Sequence, residues 1–158
     1  MGIVFSRVDG RLIHGQVAIA WTRLLLIDEI IVVSNDTAED ETQSMLLEIA
    51  CPPGIELSVC SVDEGIEKVM AEDFDGNKTM IIFKTLDDAL KAVEGGVELE
   101  SLNIGGVYFE EGKKKFEKAL CLDSKDEEII RKLSKKVKDV FYQVAPMNDK
   151  SPISKYVK

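Results

Sequence analysis

The chain alternates short apolar runs with longer stretches whose apolar residues recur every three or four positions. Ile3-Val4-Phe5 reads as a short opening strand, and a polar loop from Arg7 to His14 follows it. Gln16 to Leu26 carries Val17, Ile19, Ala20, Trp21, Leu24 and Leu25 on one broad face, which predicts a helix with Trp21 as a core residue. Glu29 to Ser34 is short and β-branched, the pattern of a strand buried on both faces. Asn35-Asp36-Thr37 breaks it in the manner of a helix N-cap. A helix then runs from about Glu39 to Ala50 and stops at Pro52-Pro53-Gly54.

The same alternation continues. Ile55 to Cys60 predicts a strand, Val62 to Glu72 a helix, Thr79 to Phe83 a buried strand, and Leu86 to Glu94 a helix closed by Gly95-Gly96. Leu102-Asn103-Ile104-Gly105-Gly106 reads as a strand ending in a glycine turn, and Lys118 to Leu122 as a short extra strand. Asp126 to Lys138 is a charged amphipathic helix and Val140 to Val144 a last strand before Pro146. The residues from about Asn148 onward are expected to be loosely held. Strands alternating with helices imply βαβ units, hence a three-layer α/β/α sandwich around a mainly parallel, doubly wound sheet. With no internal repeat, low-complexity tract or linker, residues 1–158 read as one domain.

In such folds ligands gather at the carboxyl ends of the strands. Four segments emerge there: the Arg7–His14 loop, Asn35-Asp36, Lys84-Thr85 and Gly105-Gly106. Composition narrows what they can do. A formal net charge of −9 argues against a nucleic-acid binder, which needs a basic face. No apolar run approaches the roughly 20 residues that span a bilayer, and nothing reads as a secretory leader, so a cytoplasmic place is expected. Cys51, Cys60 and Cys121 are too few and too scattered for a disulfide framework or a zinc site, and they read as small buried thiols.

The chemistry concentrates on His14, the sole histidine of the chain. A neutral imidazole nitrogen is a good nucleophile near pH 7 and can accept a phosphoryl group and release it again. Arg11, three residues earlier, offers a bidentate cation for phosphate oxygens. The helix expected from Gln16 aims the backbone N–H groups of Gly15 and Gln16 at the same place, where a helix N-terminus favours an anion. Asp9 is a candidate for orienting the ring or for holding Arg11, and the sequence does not choose between them. Arg7 and Arg11, taken alone, read as salt-bridged surface residues. Competing sites lack their motifs: there is no GxxxxGK[ST], no GxGxxG after the first strand and no GxSxG elbow. A phospho-aspartate receiver would share the architecture and would use Asp9 or Asp36.

Arg7-Val8-Asp9-Gly10-Arg11-Leu12-Ile13-His14-Gly15-Gln16-Val17 with Trp21 closely resembles the active-site signature of the enzyme IIB component of the mannose/fructose/sorbose family of bacterial sugar phosphotransferase systems (PTS). Supporting matches are Asn35-Asp36-Thr37-Ala38 with Asp40, Pro53-Gly54, Phe83-Lys84 before Asp87, and Glu94-Gly95-Gly96. Leu102-Asn103-Ile104-Gly105-Gly106, Gly112, and Gln143 before Pro146 complete the set. The resemblance implies an α/β/α carrier that takes a phosphoryl group from enzyme IIA on Nδ1 of His14 and passes it to a sugar held by the membrane components IIC and IID. It implies Arg11 as the phosphate-stabilising arginine, no metal or organic cofactor, and a location on the inner face of the membrane. A member serving only to report phosphorylation state is the other reading within the family, and a homo-oligomer stays open. The chain departs from the pattern at Gly10, where a second aspartate is usual, at Ser34-Asn35-Asp36, and at Lys136-Val137-Lys138. Gly10 leaves open which carboxylate steadies the ring.

Overall fold

A computed structural model describes residues 2–72, 74 and 76–158. The elements follow the expected alternation: β1 (Gly2–Asp9), α1 (Gly15–Leu25), β2 (Glu29–Val33), α2 (Asn35–Glu39), α3 (Glu41–Ala50) and β3 (Glu56–Cys60). Then come α4 (Val62–Met70), β4 (Lys78–Phe83), α5 (Leu86–Glu94), β5 (Ser101–Gly106), β6 (Lys114–Glu117) and β7 (Leu120–Leu122). The chain ends with α6 (Ser124–Lys136), β8 (Asp139–Tyr142), β9 (Ser151–Pro152) and a 3-10 turn at Ile153–Lys155.

Seven strands form the main sheet in the order β3-β2-β4-β1-β5-β8-β9, and only the β8–β9 pairing is antiparallel. Alternate residues of its strands feed two cores, because side chains of successive strand residues point to opposite faces. Val8, Ile31, Val33, Ile81, Phe83 and Ile104 pack on one face with Leu90 of α5 and Ile130 of α6. Phe5, Ile30, Val32, Met80 and Ile82 pack on the other with Trp21 of α1 and Leu47 of α3. That is the three-layer α/β/α sandwich. Trp21 is a core residue of α1, stacked on Phe5 with ring centroids 4.5 Å apart, and its Nε1–H donates to the Val144 carbonyl.

The readings of β1, the extra strand and the tail change, and the expected N-cap at Asn35-Asp36-Thr37 is instead the first turn of α2, capped by Ser34. β1 does not stop at Phe5 but continues through Ser6, Arg7, Val8 and Asp9, pairing Arg7 with Ile82 of β4 and Asn103 of β5. The charged side chains of Arg7 and Asp9 are tolerated in a central strand here because each has a partner. The extra strand near Lys118–Leu122 is half of a hairpin, β6–β7, set apart from the main sheet. The tail beyond Asn148 is not loose: β9 pairs with β8, Ile153 and Val157 are buried, and Arg131 Nε donates to the Lys158 carbonyl.

The strand order makes the carboxyl end of β1 a switch point. The chain leaves β1 for β2 on one side, returns through β4 beside β1, and crosses to β5 on the other side. A crevice at such a reversal is where open α/β sheets bind ligands.

Candidate functional site

Asp9 ends β1 fully buried, and its carboxylate is surrounded by donors. Oδ2 accepts from Arg7 Nη2 at 3.0 Å and faces His14 Nε2 at 3.1 Å. Oδ1 accepts from the Arg11 backbone N–H at 2.9 Å and from the Tyr108 hydroxyl at 3.2 Å. Burial works to raise the Asp9 carboxyl, but the hydrogen bond from His14, the Arg7 charge and the Arg11 N–H together hold it below the usual aspartate value. An ionised carboxylate only accepts, so Nε2 of His14 carries a hydrogen, and in the neutral form of the ring the lone pair is on Nδ1. Nδ1 has no protein partner among the described residues. The His14 side chain is 27% exposed.

Arg7 keeps Asp9 in place. Its guanidinium is 2% exposed, and Nη1 donates to the side-chain oxygen of Asn103 and, at 3.2 Å, to the Gln143 carbonyl. Asn103 Nδ2 donates to the same carbonyl at 3.0 Å, and Gln143 Nε2 reaches on to the carbonyl of Asn148 at 2.8 Å. Burial lowers the Arg7 guanidinium from its ordinary value and the Asp9 charge pulls the other way, so the two ions justify one another. The room for Arg7 comes from Gly105: a Cβ there would collide with the guanidinium carbon. Gly106 does the same for the Tyr108 ring, at 2.6 Å from Cζ for an added Cβ. The two glycines are thus the last residues of β5, not a turn, and they make space for side chains.

His14 is also the N-cap residue of α1. The other α-helices begin under a side-chain cap, from Ser34, Asp40, Ser61, Thr85 and Asp123. Among the described residues α1 alone has none, so the N–H groups of its first turn, at Gly15 and Gln16, stay open to an anion beside the imidazole. Gly15 (φ +49°) and Gln16 are both exposed. Arg11 is exposed too, and its guanidinium lies 4.5 Å from the centre of the Tyr108 ring.

The model of the PTS system sorbose subfamily IIB component matches residues 3–158. The chain belongs to this IIB family. It is 39% identical over 134 residues to the mannose-specific EIIAB component of Escherichia coli K12, an alignment covering 85% of this chain and 42% of that protein. This IIB chain therefore spans less than half the length of that mannose-specific relative. It is 37% identical over 133 residues to the sorbose-specific EIIB component of Lacticaseibacillus casei, covering 84% and 81% of the two. Its fold superposes on the IIBSor domain of the Klebsiella pneumoniae sorbose permease with a TM-score of 0.91, 32% identity, and coverage of 97% and 94%. The N-acetylgalactosamine-specific IIB component 1 of E. coli gives 0.90, 30%, and coverage of 96% and 99%.

Within the IIB chain, His14 and the Arg11 backbone N–H meet at Asp9 at the carboxyl end of the central strand β1, and Gly15 and Gln16 follow in the first turn of α1. Asp36 does not join them: it is exposed on α2, while Asn35 Oδ1 accepts from the Val62 N–H and ties α2 to α4. Arg7 is no surface residue, and Asn103, Tyr108 and Gln143 enter the site without having been predicted there. Asn103 in an otherwise apolar strand was the available signal. A cavity of about 400 Å³, lined by Gly10, Lys84, Gly106, Tyr108 and Phe109 among others, adjoins the site. A larger one of about 630 Å³ opens at the other edge of the sheet, around Ile3, Glu72 and Gly96, and holds none of the site residues. No helix among the described residues is long and apolar enough to cross a membrane.

Proposed function

We propose that this chain is a phosphoryl carrier. His14 takes the group from a phosphohistidine of enzyme IIA and passes it to a sugar presented by the membrane components IIC and IID. The single domain of residues 1–158 would then work at the inner face of the membrane through those partners. The observation that carries the reading is the 3.1 Å contact between His14 Nε2 and the buried Asp9 carboxylate, which leaves Nδ1 as the nucleophile.

In the first step the donor's P–N bond breaks as the bond from phosphorus to Nδ1 forms, in line. In the second, a sugar hydroxyl attacks the phosphorus as the P–Nδ1 bond breaks; Nδ1 leaves with its lone pair and the hydroxyl proton passes to solvent or to a base on the sugar-bearing partner. The transferred group spreads charge over three equatorial oxygens. Arg11 and the open N–H groups of Gly15 and Gln16 are the groups available to meet that charge at a docked interface. Asp9 stays ionised throughout and fixes the tautomer. As a phosphoryl acceptor in its own right Asp9 is poorly suited, being buried with both oxygens committed to donors, which weighs against a receiver-like role.

The test is labelling by a phosphorylated IIA. The wild-type chain should take a label that acid removes and alkali spares, and His14→Ala should take none while its circular dichroism is unchanged. Normal labelling of His14→Ala would sink the assignment. Label that is never passed to sugar in membranes carrying IIC and IID would favour a regulatory partner instead.

A further inference from the structure

Tyr108 sits just beyond β5, and its place is set by the backbone before it. The Val107 N–H donates to the Ala119 carbonyl at 2.9 Å and the Val107 carbonyl accepts from Cys121 N–H at 2.9 Å, tying this point to the β6–β7 hairpin. The ring then lies against Gly106 and Gly10, where an added Cβ at Gly10 would come within 3.2 Å of it. From there the one side chain meets two parts of the site. Its hydroxyl donates to Asp9 Oδ1, and its face carries the Arg11 guanidinium.

We propose that Tyr108 is a positioning residue for the phosphoryl transfer, a platform that holds Arg11 ready without neutralising it; this rests on the carrier reading above. Arg11 is exposed, and a free arginine spreads over many rotamers whose loss opposes binding. A carboxylate partner would restrain it but would also occupy its fork and cancel its charge. Among the described residues Arg11 makes no ion pair with a carboxylate. A ring face restrains the guanidinium from one side and leaves its N–H donors, which lie in the plane, free for phosphoryl oxygens. The same residue joins the two halves of the device, because its hydroxyl fixes the carboxylate that sets the His14 tautomer. Burial, followed by the Asp9 charge, pushes the phenol up to about 12, so it stays a neutral donor at any working pH.

Phosphoramidate, a small phosphoryl donor that needs no partner protein, provides the measurement, with His14 labelling followed by mass spectrometry. Tyr108→Leu should slow labelling about fivefold, the upper scale of an exposed cation–π contact. Tyr108→Phe keeps the ring and loses only the bond to Asp9, and should cost less than about threefold. In an Arg11→Ala background, Tyr108→Leu should add less than about twofold, since the residue it positions is gone. Additive losses in the double variant, a Tyr108→Leu rate equal to wild type, or Tyr108→Phe as slow as Tyr108→Leu would each overturn the platform. A wild-type chain that takes no label on His14 overturns the carrier reading and this proposal with it. A labelled wild type with additive variants overturns this proposal alone.

Discussion

Arg7 and Arg11 stand four residues apart on one segment, carry the same charge, and have opposite surroundings. Arg7 lies inside the sheet, paired with Asp9 and bonded to Asn103 and the Gln143 carbonyl. Arg11 lies outside on a tyrosine face, with its donors uncommitted. The inner arginine fixes geometry: through Asp9 it determines which nitrogen of His14 is free. The outer one, in the proposed carrier, keeps its charge available for a group that arrives from elsewhere. The proposed transfer site would use both kinds, since an ion that is fully satisfied has nothing to offer a ligand, and an unsatisfied ion cannot be buried. The sheet edge separates them, giving β1 the first and the loop after it the second.

The largest way to break this contrast is to remove the inner cation. Arg7→Met leaves the Asp9 carboxylate buried beside the sheet without its counter-charge. Removing one partner of a buried pair typically costs about 3–5 kcal/mol, and urea unfolding should show a loss of that order. A loss under about 1 kcal/mol would mean that His14, Tyr108 and the Arg11 N–H hold the carboxylate by themselves. The inner arginine would then be no more structural than the outer one.

A smaller effect follows from acid. The folded-state pKa of Asp9 is depressed, so its contribution to stability is complete above the unfolded value of about 3.9 and is lost as pH falls through the folded value. Asp9→Asn should therefore be less stable than wild type at pH 7, and the difference should shrink on acidification below about pH 4. Urea midpoints of the two proteins across that range measure it. A gap that stayed constant down to strongly acid pH would show that the ionised carboxylate is not what holds Arg7 and His14 together.

Much of this was readable from the residues. The alternation of β-branched runs with amphipathic stretches gives the layers, because each strand or helix must bury its apolar face. The loop after the first strand gives His14, Arg11, Gly15 and Gln16. What could not be read is where polar residues are buried. Hydrophobic periodicity ends β1 at Phe5, since Arg7 and Asp9 look solvated until the partners of the Arg7 guanidinium in β5 and beyond are known. Those partners lie 96 residues away at Asn103 and 136 away at Gln143. The tail failed for the same reason: Ser151 and Pro152 become a strand only because β8 presents an open edge to them. Gly105-Gly106 reads as a turn when the only available argument is conformational freedom. Its use is volume, and that requires knowing that Arg7 and Tyr108 lie against it.

The smallest expected change in stability comes from the outer arginine, and it sharpens the contrast most. Arg11→Ala removes one exposed cation–π contact, worth about 0.5–1 kcal/mol at most exposed sites. The Arg11 backbone N–H that serves Asp9 is kept in the variant. Its urea midpoint should thus lie close to that of wild type. Labelling by phosphorylated IIA should nevertheless fall by about a hundredfold, the usual cost of losing one preorganised donor to a transition-state anion. An arginine that is nearly silent in unfolding and decisive in transfer is a group held for a visitor. Should Arg11→Ala instead unfold as readily as Arg7→Met, the rim would be part of the scaffold. The charge that meets the phosphoryl group would then have to come from the backbone N–H groups of Gly15 and Gln16 alone.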